Sequence, residues 1–208
     1  AQSSHIGSCF SIADILSVLF EKADLKKDKI VLSCGWKAAI FYHFLAKKGF
    51  FTHKELEESY CKDGSSYIGL SEPRVNGVNY SGGSMGHGLP AAVGYALSKK
   101  MKGEEGTVYC LMSDGELAIG TTWESSLIAS HQLLDNLFVI VDDNKFCAMG
   151  ETKEVLNVLF PYFTPNRWDV LEIDGHNHKE IENALTLTDT FPRPTLIVAN
   201  TTKGKGVS

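Results

Sequence analysis

Apolar positions along the chain repeat with two periods. Ile12, Ile15, Leu16 and Leu19 recur at helical spacing within Ser11–Glu21, and Ser11 with Asp14 reads as a capping box at the start. Lys37–Lys48 is a second helix, closed by Gly49. Thr52 with Glu55 makes a better capping box and opens a short third helix. Leu89–Lys100 (rich in alanine), Thr121–Leu134 and His178–Leu187 are three more. Four short apolar runs of strand type lie among them: Thr107–Met112, Leu137–Val141, Val170–Ile173 and Thr195–Ala199. Asp63–Gly88 is the longest irregular stretch. Runs that are apolar on both faces and alternate with helices predict an α/β fold, a parallel sheet with helices on both faces. In such sheets ligands bind at the carboxyl ends of strands, near the point where strand order reverses.

Composition narrows the function classes. At 208 residues, residues 1–208 read as one domain. Hydrophobic residues make up 43%, which is ample for a core and excludes a disordered chain. A net charge of −5 leaves no electrostatic footprint for nucleic acid or an anionic membrane. No apolar run reaches the ~18 residues of a membrane span, and no secretory signal is visible, so a cytoplasmic protein is expected. The five cysteines (Cys9, Cys34, Cys61, Cys110, Cys147) include no C-x-x-C pair. They read as reduced, packed thiols rather than a disulfide frame or a zinc site. Neither Ala1 nor Ser208 is taken as a native end.

The strongest chemical signal lies at two strand ends. Thr107–Met112 runs into Ser113-Asp114-Gly115-Glu116, and Leu137–Val141 into Asp142-Asp143-Asn144-Lys145-Phe146. Asn144 follows Asp114 by thirty positions, about the length of one βαβ unit, which returns the chain to the same sheet edge. A carboxylate and an amide oxygen side by side form a hard oxygen set for Mg²⁺, which keeps further positions for water and phosphate. On their own, the two are equally ordinary loop residues.

Other candidates carry less. Gly86-His87-Gly88-Leu89-Pro90-Ala91 fits G-x-G-x-x-A, but a poor strand precedes it and no acidic partner follows at the right distance. His176 and His178 read as surface or capping groups, and Cys34 as a structural thiol without a general base. Lys26-Lys27, Lys47-Lys48 and Lys99-Lys100 read as solvated. Lys203 and Lys205, flanked by glycine, are phosphate-contact candidates, and His87 is a candidate to face a cofactor or partner.

Context decides among these readings. Asp114-Gly115 followed by Asn144 resembles the thiamine diphosphate motif, and the surrounding blocks resemble the N-terminal half of transketolases. Those blocks are Ser4-His5-Ile6-Gly7, Asp28-Lys29-Ile30-Val31-Leu32-Ser33, Gly83-Ser84-Met85-Gly86-His87-Gly88-Leu89 and Ser113-Asp114-Gly115-Glu116-Leu117 with Gly120-x-x-Trp123-Glu124. Ile173-Asp174-Gly175-His176 and Thr202-Lys203-Gly204-Lys205-Gly206-Val207 follow in family order. The resemblance implies a diphosphate-binding domain, with Mg²⁺ held by Asp114, Asn144 and the carbonyl of Phe146. It places Gly83, Ser84 and Met85, with Gly115 and Glu116, around the cofactor, and His5 near the thiazolium and substrate as the proton donor. The activity implied is transfer of a two-carbon ketol or related acyl unit between small sugar or carbonyl substrates. A pyrimidine-binding domain that supplies the activating glutamate does not fit in this length. A partner carrying that C-terminal domain is therefore expected, the chain being one subunit of a split enzyme or a piece of a longer one.

Three departures stand out against that pattern. Cys34-Gly35-Trp36 replaces Lys-Gly-His, Ile119 replaces a glutamate of the network between paired active sites, and no histidine stands near Leu70-Ser71. Ser113 for the first glycine is milder. The departures leave two readings open: a working enzyme with a smaller or unusual donor, or a subunit that kept the fold after losing chemistry.

Overall fold

The computed structural model describes residues 5–155, 163, 167–186 and 193–207. Ser4 and Leu187, named above in a motif and at a helix end, lie outside them. In chain order the elements begin with α1 (Ile6–Ser11), α2 (Ala13–Lys22), β1 (Lys29–Leu32), a 3₁₀ turn (Gly35–Lys37), α3 (Ala38–Lys47) and α4 (His53–Ser59). There follow α5 (Gly88–Lys102), β2 (Val108–Ser113), a 3₁₀ turn (Asp114–Ala118), α6 (Gly120–His131) and β3 (Leu137–Asp143). A short hairpin of β4 (Phe146–Cys147) and β5 (Gly150–Glu151) leads to α7 (Thr152–Val155), β6 (Asp169–Asp174), α8 (His178–Thr186) and β7 (Thr195–Asn200).

Five strands form one parallel sheet in the order β1-β2-β3-β7-β6. Successive strand residues point to opposite faces, and in β1, β2, β3 and β7 both faces are covered, which is why their runs read as apolar, whereas β6 at the edge is half-buried to exposed. Tyr109, Leu111, Phe138, Ile140 and Ile197 pack with Ile15, Leu19 and Phe20 of α2, Phe41 of α3 and Ile181 of α8. Val108, Cys110, Met112, Val139 and Val198 pack on the other side with Leu89, Ala92 and Ala96 of α5 and Ala129 of α6. Each such valine, leucine, isoleucine, methionine or phenylalanine contributes about 1.5–3 kcal/mol on burial.

Every expected helix and strand is present within a few residues of its expected bounds. The sheet has one strand more than the four apolar runs, because β1 is only four residues long and its flanks, Asp28 and Ser33, are polar. The first helix divides in two. Ser11 ends α1 instead of capping α2: its hydroxyl donates to Ser8 O (3.0 Å) and to Asp142 Oδ2, and Asp14 bonds two histidines. A long-range carboxylate has outcompeted the local cap. The Thr52 cap does form, accepting from Glu55 N at 3.1 Å. Lys99, expected to be solvated, is buried and donates to Glu105 O at 2.7 Å. The segment before Gly86-His87-Gly88 is irregular, so the dinucleotide fingerprint lacks its strand. No helix among the described residues is long and apolar enough to cross a membrane.

Candidate active site

Strand order reverses between β3 and β7, and the carboxyl ends of β2, β3 and β7 meet there. Ser113 stands opposite Asp142 in register, so Asp114 and Asn144 emerge from neighbouring strands. Asp114 is buried. Its Oδ1 accepts from Gly115 N (2.9 Å) and its Oδ2 from Thr152 Oγ1 (2.6 Å). Asn144 is also buried, its Oδ1 accepting from Phe146 N at 3.2 Å and its Nδ2 donating to Asp142 Oδ2 at 3.4 Å. Lys145 between them has φ +68°, a conformation costly for a residue with a side chain. It is held there by Thr152 N on its carbonyl and by its own ammonium on Asp143 and Asn200.

A cleft of about 220 Å³ opens over these strand ends. His5, Trp36, Gly83, Met85, Gly115, Asn144, Phe146 and Lys203 are among its walls. His5 sits at the start of α1 with φ +67°, its ring 6.2 Å from that of Trp36. The Lys203 ammonium lies 5.8 Å over the Phe146 ring. Within the expected Gly83-Ser84-Met85 turn, Gly83 and Met85 reach the cleft, whereas Ser84 is exposed and outside its lining. Gly86 in the same turn has φ +76°, and a Cβ there would stand 2.6 Å from Ile119, so only glycine fits. Leu70 and Ser71 do lie beside this turn, with Ser71 Oγ accepting from Gly82 N at 2.9 Å, and they bring no imidazole to it.

Glu116 corrects one expectation. The family resemblance puts it at the cofactor; like Asp114 it is buried and outside the cleft lining, and its carboxylate oxygens are both taken up by neighbours. It accepts from Ser33 Oγ, from Gly86 N (2.9 Å) and from Ser113 N (2.9 Å), and Ser33 Oγ in turn accepts from Gly88 N (3.1 Å). Glu116 therefore ties the glycine turn to the end of β2 from behind. Burial pushes its carboxyl above the usual range, against the pull of those donors. Asp114 is likewise raised by burial, with Thr152 opposing.

Behind Asn144 lies a group that motif reading does not single out. Asp142 is buried, and so is the Lys37 ammonium bonded to it. The same carboxylate takes the hydroxyls of Ser11 and Thr201 and the amide of Asn144. Burial alone would raise Asp142, but Lys37 reverses this and holds it below the ordinary carboxylate range. The one signal in the sequence is two consecutive aspartates closing an apolar strand, since a charge there needs a partner. Cys34, beside this pair, is fully buried, and burial drives its thiol up, which fits the structural role expected.

Among the described residues no three His, Cys, Asp or Glu side chains converge on a metal-sized space. Asp114 brings a carboxylate and Asn144 an amide oxygen to neighbouring strand ends, a pair that suits a hard ion retaining water and phosphate oxygens. A larger hollow, about 650 Å³, lies between α4 and residues 61–76 and shares no residue with the cleft. Tyr67 Oη donates to Glu55 there at 2.8 Å, while Glu58 and Arg74 pair with Lys54 and Glu72 beyond its lining.

Comparison with known proteins identifies the family. The family described as "Transketolase, thiamine diphosphate binding domain" matches residues 1–208. An apulose-4-phosphate transketolase subunit of Phocaeicola vulgatus is 33% identical over 220 residues, covering 100% of this chain and 78% of that protein. The 6-deoxy-6-sulfo-D-fructose transketolase subunit SqwG of a Clostridium species is 35% identical, covering 98% of this chain and 78% of its own length. The crystal structure of transketolase from Campylobacter jejuni superposes with a TM-score of 0.94 at 32% identity, over 99% of this chain but only 35% of that one. The chain thus spans about a third of the solved transketolase and most of the curated subunits. It belongs to the transketolase family, as a thiamine diphosphate binding domain.

Proposed function

We propose that this chain is the diphosphate-binding subunit of a split transketolase-like enzyme that transfers a two-carbon ketol unit, or a related acyl unit, between small sugar or carbonyl substrates. The observation that carries the reading is the pairing of Asp114 and Asn144 on adjacent strand ends under a cleft walled by His5, Trp36 and Lys203. Relatives named as separate transketolase subunits support the expectation of a partner chain, which would complete the site with the activating glutamate.

Asp114, Asn144 and the Phe146 carbonyl would hold Mg²⁺, and the Lys203 ammonium would face the cofactor diphosphate. Gly83 and Met85 would line the aminopyrimidine side. When bound, thiamine diphosphate supplies the electron sink for breaking a carbon–carbon bond beside a carbonyl. The chain's own part is to position, to exclude water and to move protons. His5, exposed at the cleft, would donate and accept the proton on the substrate oxygen. Trp36 and Met85 give that end an apolar wall.

Titration of thiamine diphosphate into the chain purified with its co-eluting partner tests this directly. Saturable binding with Mg²⁺ that disappears with chelator is expected. Its absence in an intact complex favours the second reading, a subunit without chemistry, which Trp36 and Ile119 motivate. Trp36 also gives a prediction about substrate. Trp36→His opens space and adds a titratable group beside His5, so the preferred donor should shift toward larger ketoses. An unchanged donor profile, measured as kcat/KM over a ketose series, would show that Trp36 does not set the substrate.

A further inference from the structure

Residues 201–204 leave β7, and Lys203 of this segment reaches the cleft; bonds from three directions fasten it. Thr201 N donates to Asp143 O at 3.1 Å, and the Thr201 hydroxyl donates to Asp142. Gly204 N donates to Gly7 O at 2.9 Å, with the Lys203 stem against Gly7. The third direction is a side chain: Thr202 N donates to Nε2 of His176 at 2.9 Å. An imidazole nitrogen that accepts an amide proton carries none itself, so the proton sits on Nδ1. Nδ1 then donates to Asp14 Oδ2 at 2.8 Å, while His178 Nε2 donates to Asp14 Oδ1 at 3.0 Å. Gly175 makes the approach possible, because a Cβ there would stand 2.5 Å from Thr201. Asp14 lies in the first turn of α2, so the chain of bonds runs from α2 through His176 to the segment that carries Lys203.

We propose that His176 is a positioning residue for the cofactor site: its Nε2 fixes the Thr202 amide and thereby sets the Lys203 ammonium over the cleft, with Asp14 holding the required tautomer. The cofactor half of this rests on the reading of Lys203 given above; the fastening of the segment does not. A loop amide released from His176 would pass to water at small cost in stability. The loss falls instead on the ordering of Lys203, which cofactor binding would then have to supply.

Two substitutions separate this from a merely structural role. The amide oxygen of Gln reaches the place of Nε2 and keeps an acceptor for Thr202. Asn reaches only the place of Nδ1, keeping a donor for Asp14 and leaving Thr202 without an acceptor. Amide hydrogen exchange on the full chain, without cofactor, should be about tenfold faster at Thr202–Gly204 in His176→Asn, as loss of one hydrogen bond implies. His176→Gln should exchange like the wild type. Equal exchange in the two variants, or loss only in the Gln variant, overturns the proposal. In the complex with its partner, His176→Asn should weaken Mg²⁺-dependent thiamine diphosphate binding about tenfold, as supporting residues of metal sites do. It should add nothing in a Lys203→Ala background. A Lys203→Ala variant that binds as tightly as the wild type overturns the cofactor reading of Lys203, and the exchange result still decides whether His176 fastens the segment.

Discussion

Lys37→Met should destabilise the chain by about 3–5 kcal/mol, the cost of leaving one member of a buried ion pair without the other. Both side chains are fully buried, and Asp142 has no second cation bonded to it among the described residues. In a chain of this size each kcal/mol moves Tm by about 2–4 °C, so calorimetry resolves the change easily. Lys37→Met with Asp142→Asn should recover most of the loss. The amide is neutral and still accepts from Ser11 or Thr201. A double variant no more stable than Lys37→Met would show that the ion pair is not what holds this region. The pH dependence has a defined sign. Asp142 lies below its unfolded value, so its contribution is present above that value and lost as pH falls through the folded one. Lys37 lies above its unfolded value, so its contribution holds below that value and is lost only as pH rises through the folded one. The gap between wild type and Lys37→Met should therefore be widest from mildly acidic to mildly alkaline pH.

Asp114→Ala should remove Mg²⁺-dependent thiamine diphosphate binding altogether, measured by calorimetry on the complex with its partner. Thr152→Val supplies the graded comparison. The Thr152 hydroxyl only supports the Asp114 carboxylate, at 2.6 Å, so its loss should weaken binding by about 10–100-fold without abolishing it. Binding that survives in Asp114→Ala would sink the assignment of Asp114 as the ligand. A drop in Thr152→Val as complete as in Asp114→Ala would instead place the critical contact on the hairpin side of the cleft.

Much of the fold is legible because the signals are local. Apolar runs mark four strands, and the Thr52 hydroxyl sits where its capping pattern puts it. The thirty-residue interval correctly sets Asp114 and Asn144 on neighbouring strands, since one βαβ unit has little choice of length. What escapes is decided over long sequence distances. Ser11 looks like a cap and instead serves a carboxylate 131 positions away. Lys37, one lysine among many, has its partner 105 positions on. Asp14 and His176 are 162 apart. Glu116 sits inside a motif that points to the cofactor, but its neighbours' unpaired amides turn it inward. Nothing in the local sequence distinguishes such a side chain from a solvated one.

The sheet order also bears on how the chain is made. Among the described residues β6 pairs only with β7, and β7 is the last of the five strands to be synthesised. Until it emerges from the ribosome, β3 keeps an open edge that invites mispairing, and β6 has no sheet to join. Thr201 reaches Asp142 only after that insertion. The floor of the cleft is thus completed only once β7 is made, and the strands before it must wait, unsealed, for one strand to slot in between β3 and β6.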